Sequence, residues 1–269
     1  MKPSGAAARR RQRGLGVAEL LVGLALGLVV TLAGAALLVS TSASYLTQVE
    51  AARLDDSGRY ALDVIGRALR QSAFVDWDGE AAPPTIGAAD AASVAGLDAR
   101  SLSRAGAGIE APLAGATNGS DVLAVRFFGA GSGPGGDASV LDCAGFGVGR
   151  ADTAARRGWS IFYVAADAGG EPELRCKYRG AAGWGADAIV RGVDSFQVLY
   201  GIDTDEPADG VANQYLSAGA VDALDAALDP AGADPAARER ERQRRSRWKR
   251  VVSVKVALLL HGARGARPE

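Results

Sequence analysis

Reactive and metal-binding side chains are scarce in this chain, which has one histidine and two cysteines among its 269 residues. Two cysteines alone make a poor zinc site. A phosphate-binding loop, a dinucleotide-binding fingerprint and a recognisable serine or cysteine nucleophile motif are all missing from the sequence. His261, the only histidine available for acid–base chemistry, therefore has no catalytic setting. The sequence predicts a protein that is not an enzyme and has no cofactor.

Charged residues are missing from Leu20 to Val39, where Thr31 is the one clearly polar side chain. A helix of about 20 apolar residues, rising about 1.5 Å per residue, spans the hydrocarbon core of a bilayer. Glu19 stands at the start of this apolar segment. A carboxylate in such a place is costly and usually has a partner, so Glu19 is a candidate functional residue.

Acidic residues are missing from the first 14 positions, which contain five basic ones, Lys2, Arg9, Arg10, Arg11 and Arg13. Basic residues beside a first apolar helix hold that end of the helix in the cytoplasm. We therefore expect a single-pass inner-membrane protein with a cytoplasmic N-terminus and a periplasmic C-terminal domain.

The N-terminus is compatible with three kinds of targeting segment. Ser42–Ser44 offers the small-residue cleavage site that a secretory signal requires. The apolar stretch of such a signal is normally 7–15 residues long, and the run from Leu20 to Val39 is longer. A plain signal anchor fits the length and leaves Glu19 unexplained. A class III leader, cut before the apolar run, accounts for both features and is the interpretation we favour.

The residues around Glu19 resemble the start of type IV pilins. In that family a Gly precedes the cut, an apolar residue becomes the new N-terminus, and a Glu stands fifth. Gly14, Leu15 and Glu19 occupy these positions. The resemblance implies cleavage after Gly14 by a prepilin peptidase and N-methylation of Leu15. It also implies that Glu19 pairs with the N-terminal amine of a neighbouring subunit during assembly, which offsets the burial of both charges.

The chain divides by pattern into a basic leader, a long helix and a β-rich domain. The leader covers residues 1–14, and the helix covers 15–73 with its membrane-spanning part at 20–39. Beyond residue 45, apolar residues continue at three- and four-residue steps among charged ones, as in an amphipathic helix. Residues 74–269 form the predicted periplasmic domain, in which 79–119 are rich in loop-forming residues.

Six β-branched or aromatic runs bounded by glycine-rich turns are predicted strands. They are Val122–Phe128, Trp159–Ala165, Glu173–Tyr178, Ile189–Arg191, Ser195–Tyr200 and Val251–Leu260. A long helix followed by strands without intervening helices predicts an α+β fold, with an antiparallel sheet packed against the helix.

Several patches of this region resemble the PilW family of minor pilins. They are Asp121–Arg126, Leu141–Cys143, Leu174–Cys176, Val198–Asp203 and Trp248–Lys255. The resemblance implies a minor pilin of the type IV pilus that is stored in the inner membrane and later reaches the cell surface. Its expected partners are other major and minor pilins, the prepilin peptidase and the inner-membrane assembly platform. A pseudopilin of a type II secretion system and an uncleaved, anchored periplasmic adhesive or DNA-binding module remain alternatives.

Cys143 and Cys176 are predicted to form a disulfide, because an extracytoplasmic compartment is oxidising. Closing this loop contributes about 3 kcal/mol in the chain-entropy model. Two separate buried thiols and a metal pair are the alternatives.

An acidic turn offers Asp203, Asp205 and Asp209 as oxygen ligands for calcium. The EF-hand pattern requires Gly at its sixth position and Glu at its twelfth, and Ala208 and Gln214 stand there instead. A solvated acidic turn is therefore the favoured interpretation, and calcium binding the alternative.

A basic run from Arg238 to Arg250 precedes the last predicted strand. Its candidates for contacts with DNA phosphates are Arg244, Arg245, Arg247, Lys249 and Arg250. Trp248 is the one stacking surface among them, and the acidic residues of the run compensate part of its charge. A solvated segment leading into the strand is favoured over a nucleic-acid site.

Overall fold

The computed structural model describes residues 14, 16–72, 74–77 and 85–262. Three α-helices, three short 3₁₀ helices and eight strands make up the regular structure of these residues. The helices are α1 (Val17–Gln71), α2 (Ala218–Ala226) and α3 (Pro235–Arg245). The strands are β1 (Val94–Leu97), β2 (Val122–Phe127), β3 (Gly158–Ala166), β4 (Pro172–Gly180), β5 (Gly183–Arg191), β6 (Val193–Ile202), β7 (Gln214–Leu216) and β8 (Val251–Leu260).

The chain falls into two compact units, and the second begins at Ala52. In the first unit, α1 is apolar and exposed along its large side chains. Its threonine hydroxyls bond to the helix itself: Thr31 donates to the carbonyl of Leu28 at 2.9 Å, Thr41 to that of Leu37 at 2.7 Å and Thr47 to that of Ala43 at 3.0 Å. Polar groups satisfied within the helix suit a segment surrounded by hydrocarbon. This helix is long and apolar enough to cross a membrane.

In the second unit, the last turns of α1 bury one face. Ala61, Val64, Ile65 and Ala68 lie in the main hydrophobic core. They recur at steps of three and four residues, which places them on one side of the helix. Because two of the four are alanines, the helix backbone packs close to its neighbours.

All strand pairs in the two sheets are antiparallel. The larger sheet has the order β1-β2-β3-β4-β5, and the smaller has the order β7-β6-β8. Alternate side chains of both sheets enter the core that α1 covers, among them Val125, Phe162 and Leu174 of the larger sheet and Phe196 and Tyr200 of the smaller. The predicted α+β class, with its long N-terminal helix and antiparallel strands, is confirmed.

Two details of the predicted fold are wrong. The strands form two sheets rather than one, and helices α2 and α3 stand between β7 and β8. Both helices begin at a capping side chain: Ser217 accepts from the backbone N–H of Ala220, and Asp234 from that of Ala237. Such caps satisfy N–H groups that a helix start leaves without a partner.

A single residue, Gly192, separates β5 of the larger sheet from β6 of the smaller one. Its φ is +72°, and an added Cβ would lie 2.7 Å from the carbonyl oxygen of His261. Its N–H donates to the carbonyl of Pro172 at 2.8 Å, and its own carbonyl accepts from the N–H of His261 at 2.9 Å. The joint between the sheets therefore requires glycine, and it lies against the chain that follows β8.

Candidate functional site

Glu19 lies in the first turn of α1 and closes that turn with its own carboxylate. Its Oε2 accepts a hydrogen bond from the backbone N–H of Gly16 at 3.2 Å. An acid at the third helical position that reaches back to the N–H before the helix is half of a capping box. The negative charge also faces the positive end of the helix dipole. Within the isolated chain, Glu19 therefore stabilises the start of the helix.

A row of small and polar residues runs along α1 from Glu19. Gly23, Gly27 and Thr31 follow Glu19 at four-residue steps, and together with neighbouring leucines they line a shallow groove. Nothing lies within 4 Å of a Cβ built on either glycine. Small residues at this spacing let a second helix approach closely within a membrane. Sequence reasoning missed this row, although its four-residue repeat is visible in the sequence.

The predicted processing site falls largely outside the described residues. Gly14 is described and exposed. Leu15, the predicted mature N-terminus and methylation site, is not, and neither are residues 1–13 of the predicted leader.

Cys143 and Cys176 are joined by a disulfide, with 5.7 Å between their Cα atoms. Cys176 belongs to β4, and Cys143 lies in the long segment between β2 and β3. The backbone N–H of Cys143 donates to Ser160 Oγ at 3.0 Å. The bond therefore fastens a loop of about 30 residues, which is longer than most, to the middle of the larger sheet.

The disulfide forms part of the wall of a cavity of about 220 Å³. One wall comes from the last turns of α1, including Tyr60 and Arg67. Asp142 also lines the cavity, and burial raises the pKa of its carboxyl group. That carboxylate accepts from the N–H groups of Ala144 and Phe146, so it shapes the disulfide-bonded loop.

The three acids of the predicted turn do come together. Oxygens of Asp203, Asp205 and Asp209 lie within 4.8 Å of one another. Asp203 is buried, and its carboxylate accepts from the N–H groups of Gly210 at 2.7 Å and Asp205 at 2.9 Å. The bond from Gly210 is the largest cause that lowers the pKa of Asp203. Backbone N–H groups therefore already satisfy the carboxylate of Asp203, the most buried of the three, as expected for an acidic turn that binds its own backbone.

The basic run forms α3 and a 3₁₀ turn at Arg247–Arg250, and protein groups engage much of its charge. Arg244 bonds Glu241 through two nitrogens, at 2.6 and 2.7 Å. Arg245 donates to the carbonyl of Asp229 at 3.4 Å, and Lys249 donates to that of Ala88. Arg250 reaches the acidic turn. These contacts hold the basic run against the domain. Only part of its positive charge therefore faces solvent.

Comparison with known proteins gave a family match. Residues 161–269 match the family PilW, described as Type IV Pilus-assembly protein W. No curated protein and no solved structure matched the chain. The matched range begins inside β3 and includes the whole smaller sheet with its flanking helices. The match confirms the PilW prediction made from the sequence, and it connects this chain with a family of type IV pilus assembly proteins rather than with an enzyme family.

Proposed function

We propose that this protein is a minor pilin that is processed by a prepilin peptidase and then enters, or primes, a type IV pilus. The observation that carries the proposal is the PilW match over residues 161–269. It is supported by the helix able to cross a membrane near the N-terminus of the same chain. The family description indicates a part in pilus assembly, and the resemblance of the N-terminal segment to type IV pilins supports the finer role.

Before assembly, the apolar part of α1 holds the protein in the inner membrane. Leu20–Val39 contains no charge, and Thr31 already bonds to its own helix. Transfer of this segment into hydrocarbon therefore exposes no unsatisfied side chain. The five basic residues among positions 1–14 keep the N-terminus in the cytoplasm. The sheet domain then lies in the periplasm, where an oxidising environment maintains its disulfide.

Cleavage after Gly14 makes Leu15 the first residue and produces a free amine. In the filament, an ammonium of one subunit would meet the Glu19 carboxylate of the next. Oε2 of Glu19 binds Gly16 of its own chain, and Oε1 would receive the neighbour's amine. Pairing the two charges offsets the cost of removing each from water.

The groove beside Glu19 allows a neighbouring subunit to come close enough for its amine to pair with Glu19. Gly23 and Gly27 allow the helix of a neighbouring subunit to lie close to α1. The leucines and valines that faced lipid would then face other helices. Packing in the helical bundle therefore replaces the lipid contacts that the apolar side chains lose on extraction from the membrane.

The test is a deletion strain analysed for surface pili and for type II secretion in parallel. We expect pili to be lost and secretion to be retained, and the wild-type gene should restore the pili. Retained pili and lost secretion would identify a pseudopilin instead. Mass spectrometry of the purified protein should show a chain that begins at methylated Leu15. An intact N-terminus would identify an uncleaved, anchored module.

A further inference from the structure

The only histidine of the chain lies between two carboxylates. Nε2 of His261 is 2.7 Å from Oε1 of Glu171, and Nδ1 is 3.0 Å from Oδ2 of Asp194. The three side chains are between 26% and 31% exposed. Nδ1 is shut off from solvent and lies at ion-pair distance from Asp194 without the angles of a hydrogen bond. An imidazole thus faces an acidic oxygen from each ring nitrogen.

Only the protonated ring suits this geometry. An ionised carboxylate accepts hydrogen bonds and donates none, and a neutral imidazole has one N–H. One ring nitrogen of a neutral His261 would therefore point its lone pair at a carboxylate. The imidazolium has an N–H on both sides and a positive charge between two negative ones.

The trio joins elements from both sheets. Glu171 lies in the turn between β3 and β4 of the larger sheet, and Asp194 lies on β6 of the smaller sheet. His261 directly follows β8, and its backbone N–H bonds to Gly192, the one-residue joint. We propose that His261 is a pH-sensitive clamp: its protonated ring ties the end of β8 and the joint between the sheets to Glu171 and Asp194, and deprotonation releases them.

In the described part of the chain, other charged groups near the clamp have partners of their own. Glu173 of β4 pairs with Arg175 at 2.7 Å and faces Arg191 of β5 at 3.9 Å. Asp167 of the β3–β4 turn accepts from the N–H groups of Gly169 and Glu171. Among the described residues, the charges that act on the ring are those of Glu171 and Asp194.

The balance of effects on the ring favours the proton. Burial lowers the pKa of His261, but hydrogen bonds and charge from Glu171 and Asp194 outweigh it, and the pKa is raised. The clamp therefore contributes its full stability below the unfolded pKa of about 6.5. That contribution is lost as the pH rises through the folded pKa.

Because the chain has a single histidine, one nuclear magnetic resonance titration measures the protonation of the His261 ring directly. The full-length protein, labelled at histidine, is purified in detergent without a polyhistidine tag. We expect its imidazole to titrate above about 6.5, the value for an unperturbed ring. Glu171→Gln and Asp194→Asn should each shift the titration downward. Asp187→Asn is the matched control, since Asp187 bonds Tyr178, and it should leave the titration in place.

Hydrogen exchange provides the structural readout. After correction for the intrinsic pH dependence of exchange, protection of residues 251–262 should fall in the wild type as the imidazole loses its proton. In His261→Gln, protection of this segment should be lower at acidic pH and should not change across the same range. A wild-type titration at or below the unperturbed value, or protection that does not follow the titration, would overturn the proposal.

Discussion

Arg250 donates a hydrogen bond from Nε to the backbone carbonyl oxygen of Asp203 at 3.0 Å. Its Nη2 reaches the carbonyl of Asp205 at 2.7 Å and the carboxylate of Glu206 at 3.1 Å. The end of the basic run is therefore a structural partner of the acidic turn. The sequence suggests the basic run as a site for DNA and the acidic turn as a site for calcium. In the structure, the charges of these two segments partly neutralise each other.

Replacing Arg250 with Gln should lower the free energy of unfolding by about 2 kcal/mol. The partly buried carbonyl of Asp203 and two exposed acceptors, on Asp205 and Glu206, would lose a charged donor. Urea unfolding of the full chain in detergent measures the change. Arg240→Gln is the control, since Arg240 is exposed on α3, and it should be nearly neutral. Equal losses in the two variants would show that the Arg250 contacts contribute nothing specific.

The same contacts predict that calcium does not stabilise the protein. Backbone N–H groups occupy the Asp203 carboxylate, and the guanidinium of Arg250 adds positive charge beside the turn. Millimolar calcium should leave the unfolding temperature unchanged and produce no binding heat. A rise in unfolding temperature that Asp203→Asn abolishes would contradict this expectation and restore the calcium site.

Glu19→Ala should leave membrane insertion and leader cleavage intact and reduce incorporation into filaments. Loss of one member of a buried charge pair costs about 2–5 kcal/mol, so incorporation should fall more than about tenfold. Immunoblots of sheared pili, normalised to the membrane pool, measure this ratio. Normal incorporation of the Ala variant would remove the proposed contact with a neighbour's amine.

Gly27→Ile should also reduce incorporation, because its branched side chain fills the groove that another helix would enter. The control is Ala25→Ile, which adds a similar volume at a residue outside the groove lining. Both variants should insert into the membrane normally. If they assemble equally well, or equally poorly, the groove is not a helix contact.

Removing the disulfide with Cys143→Ser and Cys176→Ser together should cost about 3 kcal/mol of unfolding free energy. The loss arises because the segment between the two cysteines, which are 33 positions apart, regains freedom in the unfolded chain. Reductant should lower the stability of the wild type and leave the double variant unchanged. A reductant effect of the same size in both proteins would assign the loss to another cause.

Local patterns were sufficient to predict several parts of this structure. The bounds of β8 agree with the prediction, because its ten residues are almost all apolar between a charged run and His261. Helix α3 was missed because its ion pairs, such as Arg244 with Glu241, replace the apolar stripe that predicts a helix. Its Asp234 cap followed by Pro235 was nevertheless a usable signal.

Contacts between distant segments were beyond prediction from one sequence. Gly96 makes β1 a weak strand candidate, and its reason is tertiary: an added Cβ would lie 1.8 Å from the hydroxyl of Tyr200. Arg250 and Asp203 are 47 positions apart, and His261 and Glu171 are 90 apart. Side-chain geometry across such separations follows from how the sheets pack, and residue spacing does not encode it.

The position of the disulfide has a practical consequence for work on the family-matched segment alone. A fragment limited to residues 161–269 keeps Cys176 and loses Cys143. It also loses β2, the neighbour of β3 in the larger sheet. Such a fragment would combine an odd thiol with an uncovered strand edge, and both favour cross-linking and aggregation between copies. Residues before the matched range are therefore needed to keep this protein monodisperse.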